Sequence, residues 1–344
     1  MNSQAAGFAN AEVVSRFDPS GLPSGRITRL LVRISSNAMG RAVEIPMMVA
    51  KGMRPGPTFG ITAVVHGNEV NGIPVIHRLF ERIDTRRLRG VIAAVPVVNI
   101  PGLVNNQRTF SDGTDLNDIM PGRSNGNEPQ LYSARFIERV VQQFDLLLDL
   151  HTASFGRVNS LYVRANMSNQ ITARMAILQR PQIILHNPPS DTTLRGVAEG
   201  LGIPAVTVEI GDPQQFQPEF IRRALSGIRA VLMENNMIPK RKLIARPHPI
   251  ICSESRWLYT DHGGLLEVIA RRTEIIKEGQ IIARLTNVFG DLLHEYRAPD
   301  SGIVIGKSTN PVGQAGARIL HLGKMATPQE INELAEHLRT DHSL

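Results

Sequence analysis

The sequence predicts an α/β fold, with a mostly parallel or mixed sheet flanked by helices and a smaller all-β domain behind it. Two features carry this reading. Short, uninterrupted apolar runs alternate with helix-length amphipathic segments as far as about residue 237, the pattern of strands that helices cover on both faces. After residue 239 the helical periodicity stops until the C-terminus, and glycines punctuate short apolar runs, as in a small β-sandwich or barrel.

In chain order, 61–65 (ITAVV), 91–95 (VIAAV), 146–150 (LLLDL) and 205–209 (AVTVE) read as buried strands. Segments 70–83, 132–143, 170–178 and 218–234 repeat apolar residues at helical spacing. The stretch 99–130 has almost no periodicity and is rich in Gly, Pro, Asn and Asp. A loop that long inside a compact domain is usually functional, and it is read as a site loop. In the second domain, 267–269, 281–285, 302–305 and 318–320 read as strands, with a short helix at the terminus. Pro239-Lys240-Arg241-Lys242 looks like a linker. The expected division is therefore an N-terminal extension (1–24), an α/β domain (25–240) and a β domain (241–344).

The chain has 344 residues, 42% hydrophobic and 20% charged, an ordinary globular composition that argues against disorder. A net charge of +7 raises the question of nucleic acid. The cations are mostly arginines dispersed among carboxylates, however, and only 5% of residues are aromatic, so base-stacking platforms are scarce. No apolar run approaches the ~20 residues a bilayer requires, and residues 1–12 lack a basic start followed by an apolar block. Neither nucleic acid nor membrane is expected as a partner. A small-molecule substrate is, and homo-oligomerisation is left open. The single cysteine, Cys252, forbids an intrachain disulfide and fits a reducing compartment. The expected location is the cytoplasm.

Chemistry-bearing residues fall at the ends of the expected strands, where ligands bind in open α/β sheets. His66-Gly67-Asn68-Glu69 follows the first run directly. His66 and Glu69 can converge on one point and suit Zn²⁺, with Gly67 expected to let the backbone turn tightly. Asp149-Leu150-His151 closes the third run and supplies a further imidazole. Two His and one Glu leave a coordination position open for water, the composition of hydrolytic zinc. Asp149 is a candidate orienting group, although strand alternation is expected to point it away from His151. Glu209 lies within an apolar strand, where a carboxylate needs a function or a partner. It reads equally as a general base or as an ion-paired glutamate facing an arginine. Singly, His66, Glu69 and His151 also admit structural roles; two strand ends and the loop together favour metal.

In this order, His66-Gly67-Asn68-Glu69, Asn99-Ile100-Pro101-Gly102, Arg108, Asp115-Leu116-Asn117-Asp118, Pro121-Gly122, Asp149-Leu150-His151 and Val208-Glu209-Ile210-Gly211 resemble the succinylglutamate desuccinylase/aspartoacylase family, a branch of the zinc carboxypeptidase-like hydrolases. The resemblance is dense from Gly60 to Gly211 and vaguer in the β domain. It implies one zinc per chain, held by His66, Glu69 and His151. Glu209 would move a proton from water to the leaving amine, Arg108 would hold the oxyanion, and Asn117 would bind substrate. The implied reaction is hydrolysis of the N-acyl amide bond of a small acylated amino acid or amine.

One position departs from the family pattern. Asp118 stands where the family usually has an arginine that clamps a substrate carboxylate. An aspartate there repels a carboxylate, so a neutral or cationic substrate end is expected. Arg195 and Arg123 are candidates for a displaced clamp. The alternative from another class is a non-catalytic zinc- or ligand-binding protein on the same fold. A carrier-domain reading of the C-terminal half would need Lys307 as attachment point, and its flanks lack the usual acidic or methionine residues. Trp257, Tyr259 and His262 are the residues that would reach the site from that half.

Overall fold

The computed structural model describes residues 10–189, 192–242, 247–331 and 333. Three strands, β1 (Ala11–Val14), β2 (Arg26–Ser36) and β3 (Ala42–Lys51), precede the first expected run, β4 (Arg54–Ala63). Then come α1 (Gly72–Phe80), β5 (Arg89–Val95), α2 (Ile100–Val104) and α3 (Glu128–Arg139). Strand β6 (Leu146–His151) leads to β7 (Arg157–Asn159), β8 (Leu161–Ala165), α4 (Gln170–Leu178) and β9 (Ile183–His186). Next are α5 (Leu194–Gly200), β10 (Ala205–Ile210) and α6 (Pro218–Glu234). The later strands are β11 (Ile250–Tyr259), β12 (Gly264–Val268), β13 (Ile275–Ile276), β14 (Ile281–Thr286), β15 (Leu292–Arg297), β16 (Gly302–Ser308), β17 (Val312–Gly313) and β18 (Arg318–Met325).

The large sheet is mixed, in the order β1-β2-β3-β5-β4-β6-β10-β8-β9-β11-β18-β16-β13, with β7 paired to β16. A second sheet, β15-β14-β12-β17, belongs to the all-β C-terminal region. The large sheet runs across residues 237–242, because β11 pairs in parallel with β9. Within the 1–24 extension, β1 pairs in parallel with β2, and residues 1–9 lie outside the described residues. The terminal helix begins at 328–331, and its remainder lies largely outside them.

At the centre, β5, β4, β6 and β10 are parallel neighbours, and β6 and β10 are buried along their whole length. Period two divides their side chains between two cores. Ile61, Leu148, Leu150 and Val208 face Val75 and Leu79 of α1 and Ile228 of α6. Ala93, Val95, Leu147 and Ala205 face Tyr132 and Phe136 of α3 and Leu194 of α5. A one-residue slip would exchange the two sets, so the register that aligns the strand ends is tightly specified.

Helix starts follow their caps. Asn169 Oδ1 accepts from the backbone N–H groups of Ile171 and Thr172 before α4, Thr193 Oγ1 accepts from Gly196 before α5, and Pro218 opens α6. The α1 helix is shorter than the 70–83 pattern. Asn71 donates to the Ile210 carbonyl (2.7 Å) and accepts from the Gln217 N–H (2.9 Å), which ties the chain before Gly72 to the end of β10. The 132–143 pattern is shifted as well: Asn127 caps a helix that starts at Glu128, and Val141–Gln143 forms a separate 3-10 turn. The stretch 99–130 is not structureless, since it holds α2, a 3-10 turn at Leu116–Asp118 and the first residues of α3.

Candidate metal centre and active site

Strands β4, β6 and β10 end side by side, with Ala63 opposite Leu150 and His151 opposite Glu209. Beyond β4 the chain bends sharply. Val64 adopts φ 58°, a left-handed conformation unusual for a β-branched residue, and the next residues carry His66 into the site. Residues 66–69 form the expected tight turn, with the Glu69 N–H donating to the His66 carbonyl (3.0 Å). Gly67 is required for a further reason: its φ is not positive, and a Cβ there would lie 1.9 Å from the Gly102 carbonyl carbon of α2. The loop packs directly on the metal-ligand motif.

His66, Glu69 and His151 are all buried, and each offers one ligand atom within 4.8 Å of the others. His151 Nδ1 lies 2.9 Å from Glu69 Oε2, and His66 Nδ1 lies 3.0 Å from Glu69 Oε1. The second contact is short but not aligned as a hydrogen bond, which leaves His66 Nδ1 a buried atom without a partner. Burial raises the Glu69 carboxyl, but His66 and His151 outweigh it and hold Glu69 well below the usual carboxylate range. Burial lowers both imidazoles, yet Glu69 and Asp115 raise His66, and Asp149 and Glu69 raise His151 well above the usual value. Such a cluster keeps positive charge at its centre, where a divalent cation and ring protons are alternatives. The orphaned Nδ1 and the mixed His/Glu donors fit a metal ion.

The remote ring nitrogens are held as a metal site requires. His66 Nε2 lies 3.0 Å from Asp115 Oδ1, and His151 Nε2 lies 2.7 Å from Asp149 Oδ2. Thr62 Oγ1 donates to the other Asp149 oxygen. The expectation that alternation turns Asp149 away from His151 is therefore wrong: residues two apart on a strand share a face. Asp115, quoted above only within a motif, also accepts from Arg108 Nε (2.8 Å). Arg108 Nη1 donates to Glu69 Oε1 (2.8 Å).

His66, Glu69, Arg108, Asp149 and His151 line one cavity of about 250 Å³, together with Asn117, Asp118, Arg195 and Glu209. Glu209 is both paired and in the cavity. Tyr162 donates to its Oε1 (3.2 Å), Asn159 donates to its Oε2 (3.3 Å), and Arg164 Nε lies 3.6 Å from Oε1. The ion-paired reading of Glu209 and its exposure to the site are thus compatible. Asn117 Oδ1 accepts from the Leu194 N–H, which joins the loop to α5. Arg195 is buried rather than superficial, and it donates to Glu199 and Asn187. Arg123 is exposed and does not line the cavity. Trp257 reaches the cavity from β11, whereas Tyr259 and His262 do not. Lys307 Nζ is held by the Val268 and Ala270 carbonyls, a poor attachment point for a carrier.

Arg157, Asn159, Tyr162 and Arg164 are cavity residues the sequence reading missed. Tyr162 sits opposite Glu209 across the antiparallel β8–β10 pair. The alternation of Tyr162 and Arg164 was visible as a polar face, but nothing local says that this short strand pairs with β10.

The succinylglutamate desuccinylase/aspartoacylase catalytic-domain profile matches residues 55–234, just over half of the chain. The chain belongs to this family. It is 26% identical over 305 residues to the N-alpha-acetyl-L-2,4-diaminobutyric acid deacetylase of Halomonas elongata, covering 85% of this chain and 88% of that one. The succinylglutamate desuccinylase of Pseudomonas paraeruginosa is 28% identical over 170 residues, about half of its length (51%). Among solved structures, the product-bound ectoine utilization protein of Ruegeria pomeroyi superposes with a TM-score of 0.79 at 20% identity, over 88% of this chain and 98% of that one. A succinylglutamate desuccinylase/aspartoacylase from Rhodobacter sphaeroides gives 0.79 at 22% identity, over 90% and 98%. These likenesses establish the fold. No helix among the described residues is long and apolar enough to cross a membrane.

Proposed function

We propose that this chain is a zinc-dependent hydrolase that cleaves the N-acyl amide bond of an acylated diamino acid. Its curated relatives are deacylases, which supports hydrolytic N-acyl cleavage at the coarser level. The observation that carries the zinc reading is the buried His66–Glu69–His151 cluster, with a carboxylate behind each imidazole and Glu209 in the same cavity. The single cysteine, Cys252, allows no intrachain disulfide, which suits a reducing, cytoplasmic location. In this reading residues 25–240 carry the chemistry, and residues 241–344 close one wall through Trp257.

Zinc bound at these three residues would polarise the scissile carbonyl and lower the pKa of water to about 7. The chain's own residues divide the remaining work. Asp115 and Asp149 fix both imidazoles with Nδ1 facing Glu69. Glu209, held by Tyr162 and Asn159, accepts the proton of the attacking water and returns it to the leaving amine. Arg108, only 33% exposed, presents a guanidinium beside Glu69 for the oxyanion of the tetrahedral intermediate. Asn117 and Arg195 contribute to the substrate wall. Asp118, without an ion pair among the described residues, supplies a negative charge for an ammonium group. A relative whose substrate carries such a group matches 85% of the chain.

Glu209→Gln tests the assignment. It should keep one zinc per chain while kcat for N-acetyl-2,4-diaminobutyrate falls by about 10²–10⁴-fold. Turnover close to wild type would remove Glu209 as the base.

A further inference from the structure

Four arginines line the cavity, and three of them are answered by carboxylates. Arg108 meets Glu69 and Asp115, Arg164 meets Glu209, and Arg195 meets Glu199. Arg157, at the start of β7, forms no ion pair with any described residue. Its half-buried guanidinium lies over the Trp257 ring, 5.8 Å from the centroid. Stacking orients the planar fork without consuming its N–H donors. Burial first, and then the charges of Arg108 and Arg318, push its pKa down. The carboxylates of Glu69 and Glu209 oppose that shift. Across the same cavity, Asp118 on the 3-10 turn is likewise without an ion pair. Among the described residues, the cavity thus presents one cation and one anion without an ion pair, Arg157 and Asp118, on different elements.

We propose that Arg157 receives the carboxylate of the amino-acid half of the substrate, while Asp118 receives its distal ammonium group. The proposal rests on the hydrolase reading and deepens it: the preferred substrates are N-acyl diamino acids rather than N-acyl diamines. It also supplies the clamp that Asp118 displaces. The two candidates suggested by sequence serve this less well, since Arg195 already faces Glu199 and Arg123 stands outside the cavity. A guanidinium fork matches a carboxylate with two parallel N–H···O bonds.

Calorimetric titration of the zinc-loaded full chain with two probes tests this. 2,4-Diaminobutyrate carries both charges, and 1,3-diaminopropane is the same molecule without the carboxylate. Wild type should bind the diamino acid about 10- to 100-fold more tightly. In Arg157→Ala that ratio should fall to near one, and Arg157→Lys should recover part of it. Arg318→Ala removes a second cation stacked on Trp257 that does not line the cavity, and it should keep the ratio. A ratio near one in wild type, an unchanged ratio in Arg157→Ala, or an equal collapse in Arg318→Ala would each overturn the assignment. Failure of the hydrolase reading would look different: no turnover of the acetylated probe, with the binding ratio intact.

Discussion

Asp149→Asn separates the role of the carboxylate behind His151 from that of a mere hydrogen-bond acceptor. Asp149 accepts from Thr62 Oγ1 on one oxygen and meets His151 Nε2 at 2.7 Å on the other. An asparagine occupies the same space. Its carbonyl can face His151, and its amide can donate to the Thr62 hydroxyl, whose proton is free to rotate. The buried network stays satisfied, so the fold should survive. What is lost is the charge. A hydrogen bond to a charged group contributes about 1.5–3 kcal/mol, and a neutral one about half of that. The difference, about 0.75–1.5 kcal/mol, corresponds to a zinc affinity about 4- to 12-fold weaker. This only reaches the lower end of the 10- to 100-fold losses typical of outer-shell changes. Competition with a chromophoric chelator measures the zinc Kd, and circular dichroism checks the fold. A folded Asp149→Asn protein whose Kd stays within twofold of wild type would refute the reasoning.

Two further outcomes follow from single residues. Asp118→Arg places a guanidinium where the cavity now carries an uncompensated carboxylate, so kcat/KM for N-acetylaspartate relative to N-acetyl-2,4-diaminobutyrate should rise by about tenfold or more. An unchanged ranking of the two substrates would show that Asp118 does not face the charged end of the substrate. Cys252 is 0% exposed, and burial pushes its thiol up to about 12, so it remains protonated at pH 8 and should resist an aromatic disulfide reagent until the protein is denatured. Labelling of the folded protein within minutes at that pH would contradict this.

Much of the site was legible because its residues cluster at the ends of strongly patterned strands. The runs before His66 and before His151, and the one that contains Glu209, all form central parallel strands, and their register places the three residues together. The loop 99–130 was recognised by its lack of periodicity, and it does bring Arg108 and Asn117 to the cavity. Long-range pairing was not legible. Tyr162 and Arg164 reach Glu209 only because the short β8 pairs with β10, and a strand of that length carries no signal for its neighbour. The N-terminal β2 and β3 also went unnamed. Their charged alternate residues (Arg29, Arg33 and Glu44) interrupt the apolar pattern that marks the central strands. The turn at Gly67 was legible, but the crowding that demands a glycine there was not, because the backbone of Gly102 comes from another element. The Asp149–His151 contact was in reach of sequence reasoning, since residues two apart on a strand share a face.

Zinc dependence of turnover tests the central claim most directly. The protein is stripped with a chelator, zinc is returned in steps, and hydrolysis of N-acetyl-2,4-diaminobutyrate is followed alongside metal content. Activity should be absent from the stripped chain and rise in proportion to zinc, reaching its plateau at about one ion per chain. His151→Ala should fail to reach that plateau at the same zinc concentration. Full turnover by the stripped protein, or full occupancy and activity in His151→Ala, would contradict a hydrolase built on His66, Glu69 and His151.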